Sequence, residues 1–202
     1  MLGILYRIYE KKLEKEVFGK NIPNHIAVVL EEVNPDELFD GLEMFIGWCR
    51  SSGIKELTFT IDGFPSPNLI EKFAERIDGS VRLIFDGREM EIENKSGINV
   101  NFVVNYGGRK EIVEAVKKIA LSVMSGEIEP DEVDERVIEK HLKISSEPDV
   151  IIRASVKSFD FLIWQSIYSE HVFFDIDWKN LRYIDFLRIL REYQKRERRY
   201  GR

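Results

Sequence analysis

The chain is poor in the residues that carry covalent and metal chemistry. It has one cysteine, Cys49, so a disulfide framework and a cysteine-based zinc site are both excluded. Histidine is nearly as scarce, at three. His25 precedes an apolar run and His141 ends a helix-like stretch; neither has a partner at metal-ligand spacing, and a structural role accounts for both. His171 beside Glu170 reads as a site member or as a structural histidine. Long apolar runs are missing too. The longest, residues 26–30, is far too short to span a bilayer. The first eighteen residues are charged at helical period and lack a signal-peptide core, so a cytoplasmic protein is expected. Basic excess is also absent: 30 Lys and Arg against 36 Asp and Glu give a net charge of −6, which disfavours nucleic acid.

What is present describes a folded domain. Of the 202 residues 44% are apolar and 33% charged, which excludes disorder, and the length suits one domain with a full core. Trp48, Trp164 and Trp178 are expected in core or interface. Charge is uneven. Residues 127–139 are acidic and read as solvated helix surface, while residues 195–202 are basic and end in Arg199-Tyr200-Gly201-Arg202.

The apolar pattern alternates between two periods. Leu2, Leu5, Tyr9, Leu13 and Val17 recur at helical spacing, which predicts an amphipathic helix within residues 1–20. Residues 26–30 read as a strand buried on both faces, as in a parallel sheet. Asn34-Pro35-Asp36-Glu37 is a helix start, with a capping Asn, Pro at the first position and acids in the first turn. Further strands are predicted at 57–61, 81–85, 98–104, 149–152 and 172–174. Helices are predicted from 65 to about 77, from 108 to about 125, at 130–141, at 161–167 and at 184–198. Six strands alternating with helices predict a single α/β domain over residues 1–202, with a mostly parallel central sheet flanked by helices. In such sheets ligands sit beyond the carboxyl ends of the strands. The loops after Leu30, Ile61, Val104 and Ile152 are therefore the places to seek chemistry.

Two of those loops carry distinctive residues. Asn105-Tyr106-Gly107-Gly108-Arg109 joins a strand to a helix. Glycines there expose amides at a helix N-terminus, an anion site in principle; a tight structural connection is the favoured reading. Arg153, Ser155 and Lys157 alternate after the fifth strand and suit a phosphate, which wants charge and directional donors. An exposed loop paired to nearby acids explains them equally well.

Taken in order, the motifs resemble a known family. They are Ile22-Pro-Asn-His25-Ile-Ala, Gly53-Ile-Lys-Glu-Leu-Thr58, the 105–109 segment and Asp149-Val-Ile-Ile-Arg153-Ala-Ser155. Phe161-Leu-Ile-Trp164-Gln165, Tyr168-Ser-Glu170 and Arg198-Arg-Tyr-Gly201 complete the set. The chain is similar to the cis-prenyltransferases, the undecaprenyl diphosphate synthases and their relatives, and Leu5-Tyr-Arg-Ile-Tyr9 resembles the archaeal branch. The resemblance implies a dimer-forming α/β fold with an elongated hydrophobic tunnel. It also implies addition of isopentenyl diphosphate to an allylic diphosphate with Mg2+. The allylic substrate must ionise, so diphosphate and metal must be held. The resemblance assigns diphosphate binding to Arg153, Ser155, Lys157, Arg199 and Gly201, a metal-ligand role to Glu170, and a structural role to Asn105, Gly107, Gly108 and Arg109.

The departures from the family carry as much information. After its first strand the family has an Asp-Gly-Asn run followed by Arg, Trp and His positions; here Leu30-Glu31-Glu32-Val33 leads straight to Asn34-Pro35. Glu31 stands at the metal-binding Asp position and Glu32 replaces the glycine. After the second strand Ile61-Asp-Gly-Phe-Pro-Ser66 replaces a Phe-Ser-x-Glu-Asn-Trp segment. The physics agrees: Asn34 would cap the amides, Pro35 removes a donor, and Glu31, Glu32, Asp36 and Glu37 repel a diphosphate. Arg153, Ser155, Glu170 and the terminal Arg199-Tyr-Gly201 are retained.

The expectation is a non-catalytic subunit of the Nogo-B-receptor type. It would complete a catalytic cis-prenyltransferase partner, bind isoprenyl diphosphates, and meet Mg2+ only in the partner-completed site. An active homodimer using Glu31 as metal ligand is the second reading. A module that binds isoprenoid diphosphates or a membrane surface without catalysis is the third. Peripheral membrane contact is a further expected option, and the 168–174 segment is expected at the dimer interface.

Overall fold

Aliphatic and β-branched residues at 25–30 form β1 (His25–Leu30), buried at all positions but Val29. The same chemistry builds β2 (Glu56–Ile61), β3 (Gly79–Phe85), β5 (Ile98–Val104), β6 (Val150–Arg153) and β7 (Glu170–Phe173). The structure, a computed structural model, describes residues 2–30, 35–63, 67–94, 97–154 and 160–196. One sheet of seven strands runs in the order β4-β3-β5-β2-β1-β6-β7. Every pairing is parallel except β3 with β4.

The seventh strand, β4 (Arg88–Asn94), was not expected. Its sequence alternates charge with apolar residues only at Met90 and Ile92, so it lacks a buried-strand signature. The hairpin signal lies in the turn: Asp86 and Gly87 both have positive φ, 49° and 86°, as a two-residue mirror-image turn requires. Charged side chains suit its edge position because they discourage further strand pairing.

On one face α1 (Leu2–Phe18), α2 (Pro35–Ser51), α3 (Pro67–Ala74) and α6 (Tyr183–Gln194) bury the main core. Rings fill this layer from end to end. Phe39 stacks on Phe73 at 4.8 Å, Phe73 meets Phe102 at 6.0 Å, and Phe102 stacks on Phe59 at 5.4 Å. Phe45 continues the series to Trp178 at 5.8 Å and Phe186 at 5.7 Å. The opposite face carries α4 (Gly108–Met124), α5 (Glu135–His141) and a smaller cluster around Tyr106, Ile151 and Phe161.

Two helix expectations are corrected. Residues 161–167 form turns, with Leu162 at a φ of 45°, which a helix does not admit. The expected 130–141 helix is split into a 3-10 turn (Pro130–Glu132) and α5. The acids of that run serve as caps: Glu129 and Glu132 cap each other's backbone, and Asp134 accepts from the Val137 amide.

Candidate functional site

The strand order locates the crevice. From β1 the chain moves to β2 on one side, and later crosses from β5 to β6 on the other. The carboxyl ends of β1 and β6 therefore flank the point where connections diverge, the general ligand position in such sheets. Val29 of β1 lies in register with Arg153 of β6. Arg153 ends its strand only 7% exposed, with its guanidinium 5.6 Å from the Phe173 ring centroid. Val150 and Ile152 belong to the main core, so Arg153 and Ile151 face the other layer. The crevice is bounded by Val29, Arg153, Ala154, Phe174, Asp175 and Trp178 among others and encloses about 50 Å3. Small-molecule sites usually run to roughly 300–1,000 Å3.

His171 lies on β7 near Arg153. Burial holds its pKa below the ordinary histidine range, and the charges of Arg153 and Arg196 add to the effect. The imidazole is thus kept neutral beside two cations, Arg153 and Arg196.

The 105–109 segment is occupied from within. The α4 N-terminus receives the Asp160 carboxylate, whose Oδ1 accepts from the Arg109 amide at 2.9 Å, and the Gly108 amide donates to the Asp160 carbonyl at 3.1 Å. A Cβ at Gly107 would lie 2.6 Å from Asp160 Oδ2, so glycine is needed for this approach. Asn105 adopts φ 51° and its amide donates to the Ile61 carbonyl. These residues form the tight connection favoured from sequence, with the anion supplied by the chain itself.

The motif residue Gln165 forms a structural tie with Glu111, which the sequence did not single out. Glu111 is buried and its Oε1 accepts from the amides of Lys143 at 2.8 Å and Ile144 at 3.3 Å. Gln165 donates to Glu111 Oε2 at 3.4 Å and to the Ile144 carbonyl at 2.5 Å. Burial pushes the Glu111 carboxyl up from its ordinary pKa. The tie pins the 161–167 turns and the 142–144 segment to α4. His25 is likewise structural, its Nε2 2.8 Å from Thr58 Oγ1 inside the sheet.

Glu170 does not meet Arg153. It opens β7 opposite Val150, whereas Arg153 pairs with Phe173, three residues and about 10 Å along the strand. Its Oε2 lies 3.6 Å from Arg196 Nη1. Among the described residues no group of three or more His, Cys, Asp and Glu is placed to hold a metal. Among the described residues the charged partner of Glu170 is Arg196, a cation rather than a second metal ligand. Glu31, Ser155, Lys157, Arg199 and Gly201 lie outside the described residues.

Arg196, Asp160 and the Phe173 cover over Arg153 were not singled out from sequence. Each meets its partner only through tertiary packing of segments distant in sequence or through strand register, which no local spacing records.

Arg196 follows α6 and reaches Glu170, so the last described residues run to the β7 edge of the sheet. Ile167, Tyr168 and Phe173 are exposed in the same region, at 68%, 48% and 52%.

A family model described as putative undecaprenyl diphosphate synthase matches residues 71–201. The tritrans,polycis-undecaprenyl-diphosphate synthase (geranylgeranyl-diphosphate specific) of Methanocaldococcus jannaschii is 36% identical, covering 98% of this chain and 89% of its own length. The isoprenyl transferase of Thermus thermophilus is 35% identical, covering 98% of this chain and 96% of its own. The first alignment runs over 251 positions against 202 residues here, so the relative carries at least 49 positions that this chain lacks. Among solved structures, lavandulyl diphosphate synthase from Lavandula x intermedia superposes with a TM-score of 0.72 at 24% identity, over 93% of this chain and all of that one. A probable undecaprenyl diphosphate synthase from Campylobacter jejuni gives 0.69 at 22%, over 91% of this chain and all of that one. These two establish the fold.

Proposed function

The chain belongs to the cis-prenyltransferase (undecaprenyl diphosphate synthase) family, and within it we propose the role of an accessory subunit that completes a catalytic cis-prenyltransferase partner making long-chain cis-polyprenyl diphosphate. The carrying observation is the front of the site. β1 ends at Leu30 and α2 begins at Pro35, leaving four residues, two of them glutamates, where the family places its diphosphate and metal run. The missing positions relative to the Methanocaldococcus enzyme are consistent with that loss. The 50 Å3 crevice at the carboxyl ends of β1 and β6 leaves little room there for an allylic diphosphate. Mg2+ would then be held by the partner's residues. The retained parts are Arg153 and the Arg199-Tyr-Gly201 tail, whose chain departs at the β7 edge beside the exposed Ile167, Tyr168 and Phe173. A partner docked on that edge would receive the tail; its forked guanidinium and unhindered glycine amide suit diphosphate oxygens.

The test is reconstitution. The purified chain with isopentenyl diphosphate, geranylgeranyl diphosphate and Mg2+ is expected to give no multi-turnover product, and co-expression with a family member carrying an intact Asp-Gly-Asn run is expected to give a complex more active than that member alone. Robust turnover by this chain alone overturns the proposal.

The identity with a synthase over nearly the whole chain favours a second reading, an active homodimer with Glu31 as metal ligand. That reading requires activity in the isolated chain and its loss in Glu31→Gln.

A further inference from the structure

We propose that the outward face of α1 is a docking surface for an anionic lipid bilayer. The inner face of this helix is accounted for. Leu13 and Val17 are fully buried, and Glu14 accepts from the Tyr183 hydroxyl at 3.1 Å. Gln194 donates to the Val17 carbonyl at 2.8 Å. These contacts fix the helix on α6. The outer face is not used by the fold. Leu5 and Ile8 are 62% and 60% exposed, one helical turn apart, whereas Tyr9 turns toward α6 and accepts from Arg191 at 3.4 Å. Lys11, Lys12 and Lys15 continue the same face by the next turns and are exposed. None of the three forms an ion pair among the described residues. Of the helix's three glutamates, Glu14 holds Tyr183, Glu16 pairs with Lys20 at 3.8 Å, and Glu10 lies on the side that faces Tyr183.

This is a segregated surface, two aliphatics at one end and three unpaired ammonium groups behind them, on a chain whose net charge is −6. Bulk electrostatics repel an anionic membrane, so only a local cationic face can approach it. An amphipathic helix lying flat meets that need, because its aliphatics enter the headgroup boundary while its lysines stay with the phosphates. α1 is not a candidate to cross the bilayer, since no described helix is long and apolar enough to span one. Charge complementarity therefore points to anionic headgroups. The surface is also separate from the β7 edge. Val17 lies by the end of α6, and Leu5 is twelve residues, about 18 Å, further along the helix. A partner on the β7 edge and a membrane under α1 can be engaged together, and the inference holds whichever reading of the catalytic role is right.

The experiment is co-sedimentation of the full chain with vesicles of phosphatidylcholine, with or without phosphatidylglycerol at about one third of the lipid. Pelleting is expected only with phosphatidylglycerol, and its loss at about 0.5 M salt, where the screening length is a few ångströms. The Lys11→Glu, Lys12→Glu, Lys15→Glu triple variant is expected to lose roughly a hundredfold or more in vesicle affinity. Leu5→Ser with Ile8→Ser should abolish pelleting. Both sets lie on a solvent face, and circular dichroism checks the fold. Absence of pelleting with anionic vesicles, or unchanged affinity in either correctly folded variant, overturns the proposal. So does a change of oligomeric state in the variants without any vesicle binding by the parent, which would assign the face to a second protein chain.

Discussion

Replacing Ile167 and Phe173 by serine tests the partner edge. Ile167 is 68% exposed and Phe173 52%. Complete burial of such a side chain is worth about 1.5–3 kcal/mol, so an interface that covers the exposed fractions gains about 1–2 kcal/mol from each. Together they account for about 3 kcal/mol, or roughly a hundredfold in dissociation constant. Most of this is available without harm to the isolated fold, since neither ring nor aliphatic chain is in the core. Phe173 does cover Arg153 at 5.6 Å, so its loss frees that guanidinium to water; the single Ile167→Ser variant avoids this and should weaken association roughly tenfold. Sedimentation equilibrium from nanomolar to micromolar concentration measures self-association, and capture on the immobilised catalytic subunit measures the heteromer. Thermal melts confirm that the fold is intact. An unchanged dissociation constant in both assays for the folded double variant refutes the assignment of this edge.

Deleting residues 199–202 should leave folding and association intact and cut the rate of the reconstituted complex about thirty- to a thousandfold, the loss of about 2–4 kcal/mol of transition-state contact; an unchanged steady-state rate assigns the tail no chemistry. Glu111→Ala strips acceptors from the amides of Lys143 and Ile144 and should destabilise by about 3 kcal/mol, lowering Tm by roughly 6–12 °C in calorimetry, whereas Glu111→Gln keeps one acceptor oxygen and should lose less. His25 has a pKa lowered chiefly by burial, with Glu56 and Asp149 opposing, so the unfolded chain binds its proton first. Stability should therefore hold above the unfolded value of 6.5 and decline as pH falls below it, and His25→Gln should flatten that slope in urea titrations.

The sequence alone determined the alternation of strands and helices, because runs buried on both faces and amphipathic periods are local properties. It therefore determined the mostly parallel α/β class and the loops at the carboxyl ends of the strands. It also carried the shortened β1–α2 connection, which is a count of residues. It did not carry β4, whose charged alternation at an edge lacks the burial that marks a strand, nor the turns at 161–167, where buried Phe161 and Leu162 imitate a helix period. The tertiary structure decided how the motifs are used. The glycines at 107 and 108 could have cradled a foreign anion; they receive Asp160, which sits 51 residues away in sequence from the Arg109 amide it accepts from. Arg153 and Glu170 read as parts of one site; parallel pairing of β6 with β7 sets them at opposite ends of their strands. Register converts sequence neighbours into distances, and it depends on which strands pair, a global choice made by burial of the whole sheet rather than by any segment of it.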